Sequence, residues 1–220
     1  MAKTGKTVKS QDEQLAATIA QTMERAIMHP YHMIQDKLIY TLDSNDLRNP
    51  VKLFPEQDYI KYFCDEWLAE PLLALHKNRR MMMSWTAIEM HLWLAMFHPG
   101  AQIFFVSDKE AKSNELVRRA EFVYDHIPPD RMLLPKKRST ANLLGFPGLD
   151  SFIMGLPSGS DQLRQYTASA IFFDEFAFWE TGQKDALASA RPTVQGGGKL
   201  TIVSSVKEGP FYDICFDKLM

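Results

Sequence analysis

The sequence is poor in the residues on which several classes of protein depend. Its 220 residues include only two cysteines, Cys64 and Cys215, which are too few and too far apart for a CxxC metal site. No apolar run approaches the ~20 residues that span a membrane, and residues 1–10 are basic and polar, without the apolar region of a signal peptide. The formal net charge is only −2, so any contact with nucleic acid would be local. We therefore expect a soluble intracellular protein with reduced thiols.

Hydrophobic periodicity divides the chain into three parts. Residues 1–10 are expected to form a disordered tail, and residues 11–48 an N-terminal helical segment in which apolar residues recur at helical spacing. In residues 49–220, short apolar strands alternate with amphipathic helices. The predicted strands are 72–75, 102–106, 170–173 and 200–203, and the predicted helices are 57–68, 84–97, 110–124 and 184–190. This alternation is typical of an α/β fold whose mostly parallel sheet carries helices on both faces.

An acidic pair, Asp174 and Glu175, directly follows the apolar strand predicted at 170–173. In open α/β sheets, ligands bind beyond the carboxyl ends of the strands, where this pair lies. Burying two adjacent carboxylates is unfavourable unless a cation or a proton is bound. In an ATPase the first acid holds Mg²⁺ and the second polarises the attacking water. An Asp-Glu pair at the end of a strand is also common in proteins without this chemistry.

A basic loop without glycine precedes the helix predicted at 84–97. The loop has the cations and the hydroxyl of a phosphate-binding loop, since Lys77, Arg79 and Arg80 supply positive charge and Ser84 can bind Mg²⁺ or cap the helix. It lacks the pattern GxxxxGK[ST]. Lys77 stands at the first glycine, Met82 at the second, and Met83 at the lysine. On spacing alone, a solvated basic turn with methionines in the core explains the segment better.

Two serines, Ser204 and Ser205, follow the last predicted strand. Hydroxyls at this position can sense a γ-phosphate or a water molecule through hydrogen bonds. Two serines after a strand also form an ordinary turn, so the pair is informative only together with the other motifs.

Taken in order, the segments between residues 50 and 215 resemble the large subunit of viral DNA-packaging terminases. The ATPase domain of that family belongs to the P-loop class with an additional catalytic glutamate. Its phosphate loop often has the form K-x-R-x-x-G-x-[ST]-W, which Lys77, Arg79, Ser84 and Trp85 match here. Met82 stands in place of the glycine, which would permit a positive φ and a close approach to phosphate. Either the backbone takes another path here, or the affinity for nucleotide is modest.

The resemblance extends to the flanking motifs. The adenine-binding segment P-x-Q is matched by residues 55–57, which implies that Gln57 hydrogen-bonds the adenine edge. Residues 171–176 match the family's acidic strand motif. The serines at 204 and 205 keep the hydroxyls of its coupling motif without the usual proline. Arg164 and Arg191 are candidates for an arginine that acts on the γ-phosphate of the same or a neighbouring subunit.

The resemblance implies an ATPase that uses ATP and Mg²⁺ and drives double-stranded DNA into a procapsid in the host cytoplasm. The implied partners are DNA, the portal protein, the small terminase subunit and further copies in a ring, with no membrane. The family's nuclease domain, and with it nuclease activity, is expected to be absent from this chain. The implied roles are catalysis by Glu175, Lys77 and Arg79; nucleotide binding by Gln57, Lys77, Arg79, Arg80, Met82, Met83, Ser84 and Trp85; metal binding by Ser84 and Asp174; and coupling by Ser204 and Ser205.

Three other interpretations stay open. A helicase-like or other P-loop translocase would usually keep a GK[ST] loop and a second motor domain. A second motor domain is not expected here, and the one GK[ST] match, at residues 5–7, has no strand before it. A non-catalytic α/β scaffold with a decayed nucleotide site would explain Met82 and Met83. A metal nuclease would use Asp174 and Glu175, but it needs further clustered acids, for which Asp108 is the one candidate.

Overall fold

The computed structural model describes residues 11–159, 163 and 166–217. The tail predicted at residues 1–10 lies outside the described residues. The described chain begins with two helices, α1 (Gln11–Met28) and α2 (Pro30–Gln35). They are separated at His29, because Pro30 has no amide hydrogen with which to continue the hydrogen bonds of α1. The His29 ring caps α2 by accepting a hydrogen bond from the Tyr31 amide at 3.1 Å. No described helix combines the length and apolar character needed to cross a membrane.

A small hairpin joins this region to the core. Strands β1 (Tyr40–Leu42) and β2 (Val51–Leu53) pair in antiparallel fashion. The predicted N-terminal helical segment therefore also contains a strand, and the hairpin crosses the predicted boundary between residues 48 and 49. Three-residue strands show no periodicity, which is why the sequence did not predict them.

The remaining elements alternate as the sequence predicts, although their ends differ by a few residues. In chain order they are α3 (Asp58–Ala69), β3 (Leu72–His76), α4 (Met83–Phe97), β4 (Gln102–Ser107), α5 (Glu110–His126), β5 (Arg138–Ser139), β6 (Leu143–Phe146), β7 (Ser151–Pro157), β8 (Ala170–Asp174), a 3₁₀ turn (Phe176–Phe178), α6 (Gln183–Gln195), β9 (Lys199–Ser204), a short helix α7 (Pro210–Tyr212) and a π-helical turn (Asp213–Asp217).

Among the described residues, seven strands form one sheet in the order β3-β9-β8-β4-β7-β6-β5. The five strands from β3 to β7 in this order are parallel, and β6 and β5 add in antiparallel fashion. The fold is thus mixed α/β with a mostly parallel central sheet.

Both faces of the sheet are buried, so its central strands are apolar throughout. Along β4, Ile103 and Phe105 belong to the core that also contains buried residues of α3, α4 and α5. Phe104 and Val106 belong to a second core on the other face, which α6 covers. Parallel strands end at the same edge, so β3, β9 and β8 bring the segments that follow them together.

Candidate active site

The two acids predicted from the sequence lie where β8 leaves the sheet. The Asp174 carboxylate accepts a hydrogen bond from the Ser84 hydroxyl at 2.7 Å, which joins the end of β8 to the first turn of α4. Burial raises the pKa of Asp174, while the Ser84 hydrogen bond and the positive charges of Lys77 and Arg119 lower it. A half-buried carboxylate beside a hydroxyl is a pair of oxygen donors of the kind that Mg²⁺ prefers.

Glu175 is paired with the lysine of the basic loop. The Lys77 ammonium lies 2.6 Å from the Glu175 carboxylate, and the Ser205 amide donates to the other carboxylate oxygen at 3.3 Å. The lysine side chain is 9% exposed and the glutamate side chain 39%, so one side of the carboxylate stays open to solvent. Two acids, a lysine and two serines, from three strand ends and the first turn of α4, therefore meet at one point.

Strand β9 makes this convergence possible because it lies between β3 and β8. His76 is paired with Ser204, and Asp174 with Val203. The Lys77 amide donates to the Ser204 carbonyl at 2.9 Å, and the Glu175 amide donates to the Val203 carbonyl at 2.8 Å. The backbone of β9 thus fixes the spacing between the basic loop and the acids.

The basic loop has the backbone conformation that a glycine would favour. Met82, which stands in place of the family's glycine, has φ +59° and precedes the first turn of α4. Arg80 has φ +67°. A different backbone path is therefore not needed to accommodate Met82. Met83 is buried in the core, whereas Arg79 and Arg80 are exposed.

The two serines that were predicted to act in coupling, Ser204 and Ser205, occupy different environments. The fully buried Ser204 hydroxyl accepts a hydrogen bond from the Ala177 amide at 3.1 Å and donates to the Ser205 carbonyl at 2.9 Å. This serine ties the end of β9 to the turn after the acids. Ser205 is half-buried and contacts Glu175 through its backbone.

Gln57 lies at the start of α3 with its side chain exposed. A cavity of about 210 Å³ opens between α3, β3 and the basic loop, with Tyr59, Tyr62, His76 and Lys77 among its lining residues. Gln57 does not line this cavity. Its role toward adenine stays a prediction, whereas Tyr59 and Tyr62 of α3 do line the cavity beside the loop.

Of the two predicted arginine candidates, only Arg191 is among the described residues, and it does not join the site. Arg164 lies outside the described residues. Arg191 is exposed on α6 and lines a cavity with Leu72 and Leu200, near the amino ends of β3 and β9. His76 lies four positions after Leu72 in β3, a rise of ~13 Å, so Arg191 lies near the opposite ends of the strands from Asp174. A role on the γ-phosphate of its own chain does not fit this position, and only a role toward a neighbouring subunit stays a prediction.

Sequence reasoning missed Arg119, on the third turn of α5. Its guanidinium carbon lies 5.4 Å from the ring centroid of Trp85. No motif in the sequence marks this arginine, because its place near the loop follows from the packing of α5 on α4.

The metal nuclease interpretation finds no support in the described part of the chain. No group of three or more His, Cys, Asp or Glu residues there is arranged to hold a metal ion. Asp108, its one further candidate, pairs with Lys112 at 2.8 Å.

The sequence matches no protein-family model and no curated protein. Solved structures do match the fold. The HK97 bacteriophage large terminase superposes with a TM-score of 0.63 over 89% of this chain and 40% of that chain, at 15% sequence identity. The ATPase domain of the Thermus phage P74-26 large terminase superposes with a TM-score of 0.51 over 73% of this chain and 69% of that domain, at 14% identity. The chain has the fold of a phage large-terminase ATPase domain.

The terminase fold agrees with the predicted mixed α/β architecture and with the family that the motifs resemble. The chain spans less than half of the HK97 protein. At these identities the likeness concerns the fold alone, and the chemistry depends on the residues described above.

Proposed function

We propose that this chain is the ATP-hydrolysing motor domain of a viral terminase large subunit, in the P-loop class with an additional catalytic glutamate. One observation carries the proposal. The Lys77–Glu175 and Ser84–Asp174 contacts, at 2.6 Å and 2.7 Å, join the two ends of the basic loop to the two acids. A cation, a hydroxyl and two carboxylates at the carboxyl edge of a parallel sheet are the groups that phosphoryl transfer requires.

The nucleotide would bind along residues 77–84. Lys77 and Arg79 would offset the charge of its phosphates, with Arg80, Met82, Met83 and Trp85 forming the rest of the loop. Ser84 and Asp174 would hold Mg²⁺, since their oxygens already lie within hydrogen-bonding distance of each other. Mg²⁺ bound there would offset the negative charge on the phosphates.

Glu175 would act as the general base. Its carboxylate is paired with Lys77 at 2.6 Å. Phosphate oxygens compete for the same lysine, so nucleotide binding would release Glu175 to accept a proton from the attacking water. Loss of the γ-phosphate would let the Lys77–Glu175 pair form again. Because the Ser205 amide contacts Glu175, this exchange would reach the segment after β9.

In the assembled motor, these steps would drive double-stranded DNA into a procapsid in the host cytoplasm. The chain would act in a ring with further copies, together with the portal protein and the small terminase subunit. These partners are proposed from the terminase resemblance and the shared fold.

The test is steady-state ATP hydrolysis with and without duplex DNA. We expect Mg²⁺-dependent phosphate release by the wild type, and a loss of at least ~100-fold in Glu175→Gln because the general base is removed. Glu180→Gln is the matched control, since Glu180 is exposed and lies 4.0 Å from Lys109. Equal rates in Glu175→Gln and the wild type would contradict the assignment of the base.

A further inference from the structure

The first turn of α4 carries both Ser84 and Trp85, and Trp85 is held from outside its own helix. The Trp85 ring contacts Phe122 of α5 edge-on, with ring centroids 6.0 Å apart at an interplanar angle of 72°. The Arg119 guanidinium lies over the same ring at 5.4 Å. Both contacts come from α5, so α5 sets the position of the residue that follows Ser84.

The Trp85 ring also packs against the main hydrophobic core, but one side of it faces a cavity. A cavity of about 340 Å³ separates Trp85 from the hairpin loop, with Leu42 and Ser44 on the hairpin side and Arg118, Arg119 and Phe122 on α5 among its lining residues. Trp85 is only half-buried. The contacts with Phe122 and Arg119 therefore restrict the Trp85 ring more than they would if the cavity were filled by other side chains.

The ion pairs of α5 distinguish Arg119 from its neighbour. Arg118 pairs with Glu115 at 2.7 Å and is 65% exposed. Arg119 is 34% exposed and reaches the same glutamate only through Nε at 3.4 Å. Glu115 therefore forms its shorter ion pair with Arg118, and Arg119 makes its contact with the Trp85 ring instead of a short ion pair. The cation–π attraction between a guanidinium and an indole ring is stronger when the guanidinium is partly desolvated than when it is exposed.

We propose that Arg119 is a positioning residue of the nucleotide site, which acts through Trp85 to hold the first turn of α4, and with it Ser84, in the geometry that binds the phosphates. The inference rests on the proposed function and adds to it a residue that no motif marks. In this proposal Arg119 acts on the loop through Trp85 rather than through contact with the nucleotide.

The test is calorimetric titration of Mg²⁺-ATP into the wild type and into Arg119→Ala, Arg119→Lys and Arg118→Ala. We expect Arg119→Ala to weaken binding about tenfold, the upper range of a partly buried cation–π contact. Arg119→Lys should recover part of the loss, because it keeps the charge without the planar face. Arg118→Ala is the matched control and should bind within about twofold of the wild type, because exposed ion pairs contribute little.

A double-mutant cycle separates positioning from a general structural role. In a Trp85→Ala background, Arg119→Ala should have little further effect on affinity, because the contact through which it acts is already gone. The unfolding midpoint of each variant is measured alongside. A purely structural role would lower that midpoint and leave the affinity of the folded fraction unchanged, which would overturn the inference.

The titrations distinguish failure of the Arg119 inference from failure of the proposed function. A wild type that binds Mg²⁺-ATP while Arg119→Ala binds equally well would overturn the inference alone, as would additive effects of Arg119→Ala and Trp85→Ala. A wild type that binds no nucleotide would overturn the proposed function and this inference with it.

Discussion

At the scale of single residues, the site concentrates unfavourable backbone conformations. Arg80, Met82 and Glu175 all have positive φ angles, of +67°, +59° and +48°. A left-handed conformation costs a residue with a side chain roughly 1–2 kcal/mol. Such strain persists where the surrounding contacts over-determine the backbone. Here the Lys77–Glu175 and Ser84–Asp174 contacts do so from both sides, which fits a loop shaped to bind a ligand.

Met82 offers a direct test of this strain. Met82→Gly and Met82→Ala both remove the side chain, but only glycine adopts a positive φ without a steric penalty. We expect the glycine variant to be more stable than the alanine variant by about 1 kcal/mol. The measurement is urea unfolding of both variants.

The neighbouring Met81 provides the control, because its φ is not positive. There the order should reverse, with Met81→Gly less stable than Met81→Ala by about 0.5–1 kcal/mol, since glycine loses more backbone entropy on folding. The same order of stability at both positions would contradict the strained conformation of Met82.

Some of the site could be predicted from residues and some could not. Asp174 and Ser84 stand out because each lies at the junction of a periodic element and a loop. The Lys77–Glu175 contact could not be predicted, because it joins residues 98 positions apart and depends on β9 lying between β3 and β8. Arg119 carries no signal at all, since its role follows from the packing of one helix on another.

At the scale of elements, alternation of apolar strands and amphipathic helices predicted the fold because strands buried on both faces are continuously apolar. Strand β7 was harder to recognise, since it contains Gly155 and ends at Pro157 in a segment rich in turn residues. Its glycine has a packing reason. A Cβ at Gly155 would lie 2.9 Å from both the carbonyl carbon and the carbonyl oxygen of Ser113, so α5 approaches β7 closely only because the side chain is absent.

This contact predicts the effect of Gly155→Ala. The added methyl group meets backbone rather than a flexible side chain, so α5 must shift, and we expect a loss of about 1–3 kcal/mol in the free energy of unfolding. Gly148→Ala is the control, because a Cβ there meets nothing within 4 Å. Equal stability of the two variants would contradict the close approach of α5 to β7. A shift of α5 would also move Arg119 and Phe122, so Gly155→Ala should weaken nucleotide binding as well.

At the scale of the whole molecule, the two ends of the parallel strands carry different side chains. The carboxyl edge gathers Lys77, Ser84, Asp174 and Glu175, whereas Arg191 lies near the amino ends of the strands. On the proposed function, this chain would supply the groups that bind phosphate and activate water, and Arg191 would not be among them. In the ring of subunits that the terminase resemblance implies, Arg191 would therefore act only on a neighbouring chain.

The measurement that tests the central claim most directly is calorimetric titration of Mg²⁺-ATP into the wild type, Lys77→Ala and Glu175→Gln, with Lys109→Ala as the control for loss of an exposed lysine. The account predicts that the wild type and Lys109→Ala bind and that Lys77→Ala does not. Glu175→Gln should bind at least as tightly as the wild type, because Lys77 no longer has to leave a carboxylate to reach the phosphates. If Lys77→Ala bound as well as the wild type, or if the wild type bound no nucleotide at millimolar concentration, the account would be contradicted.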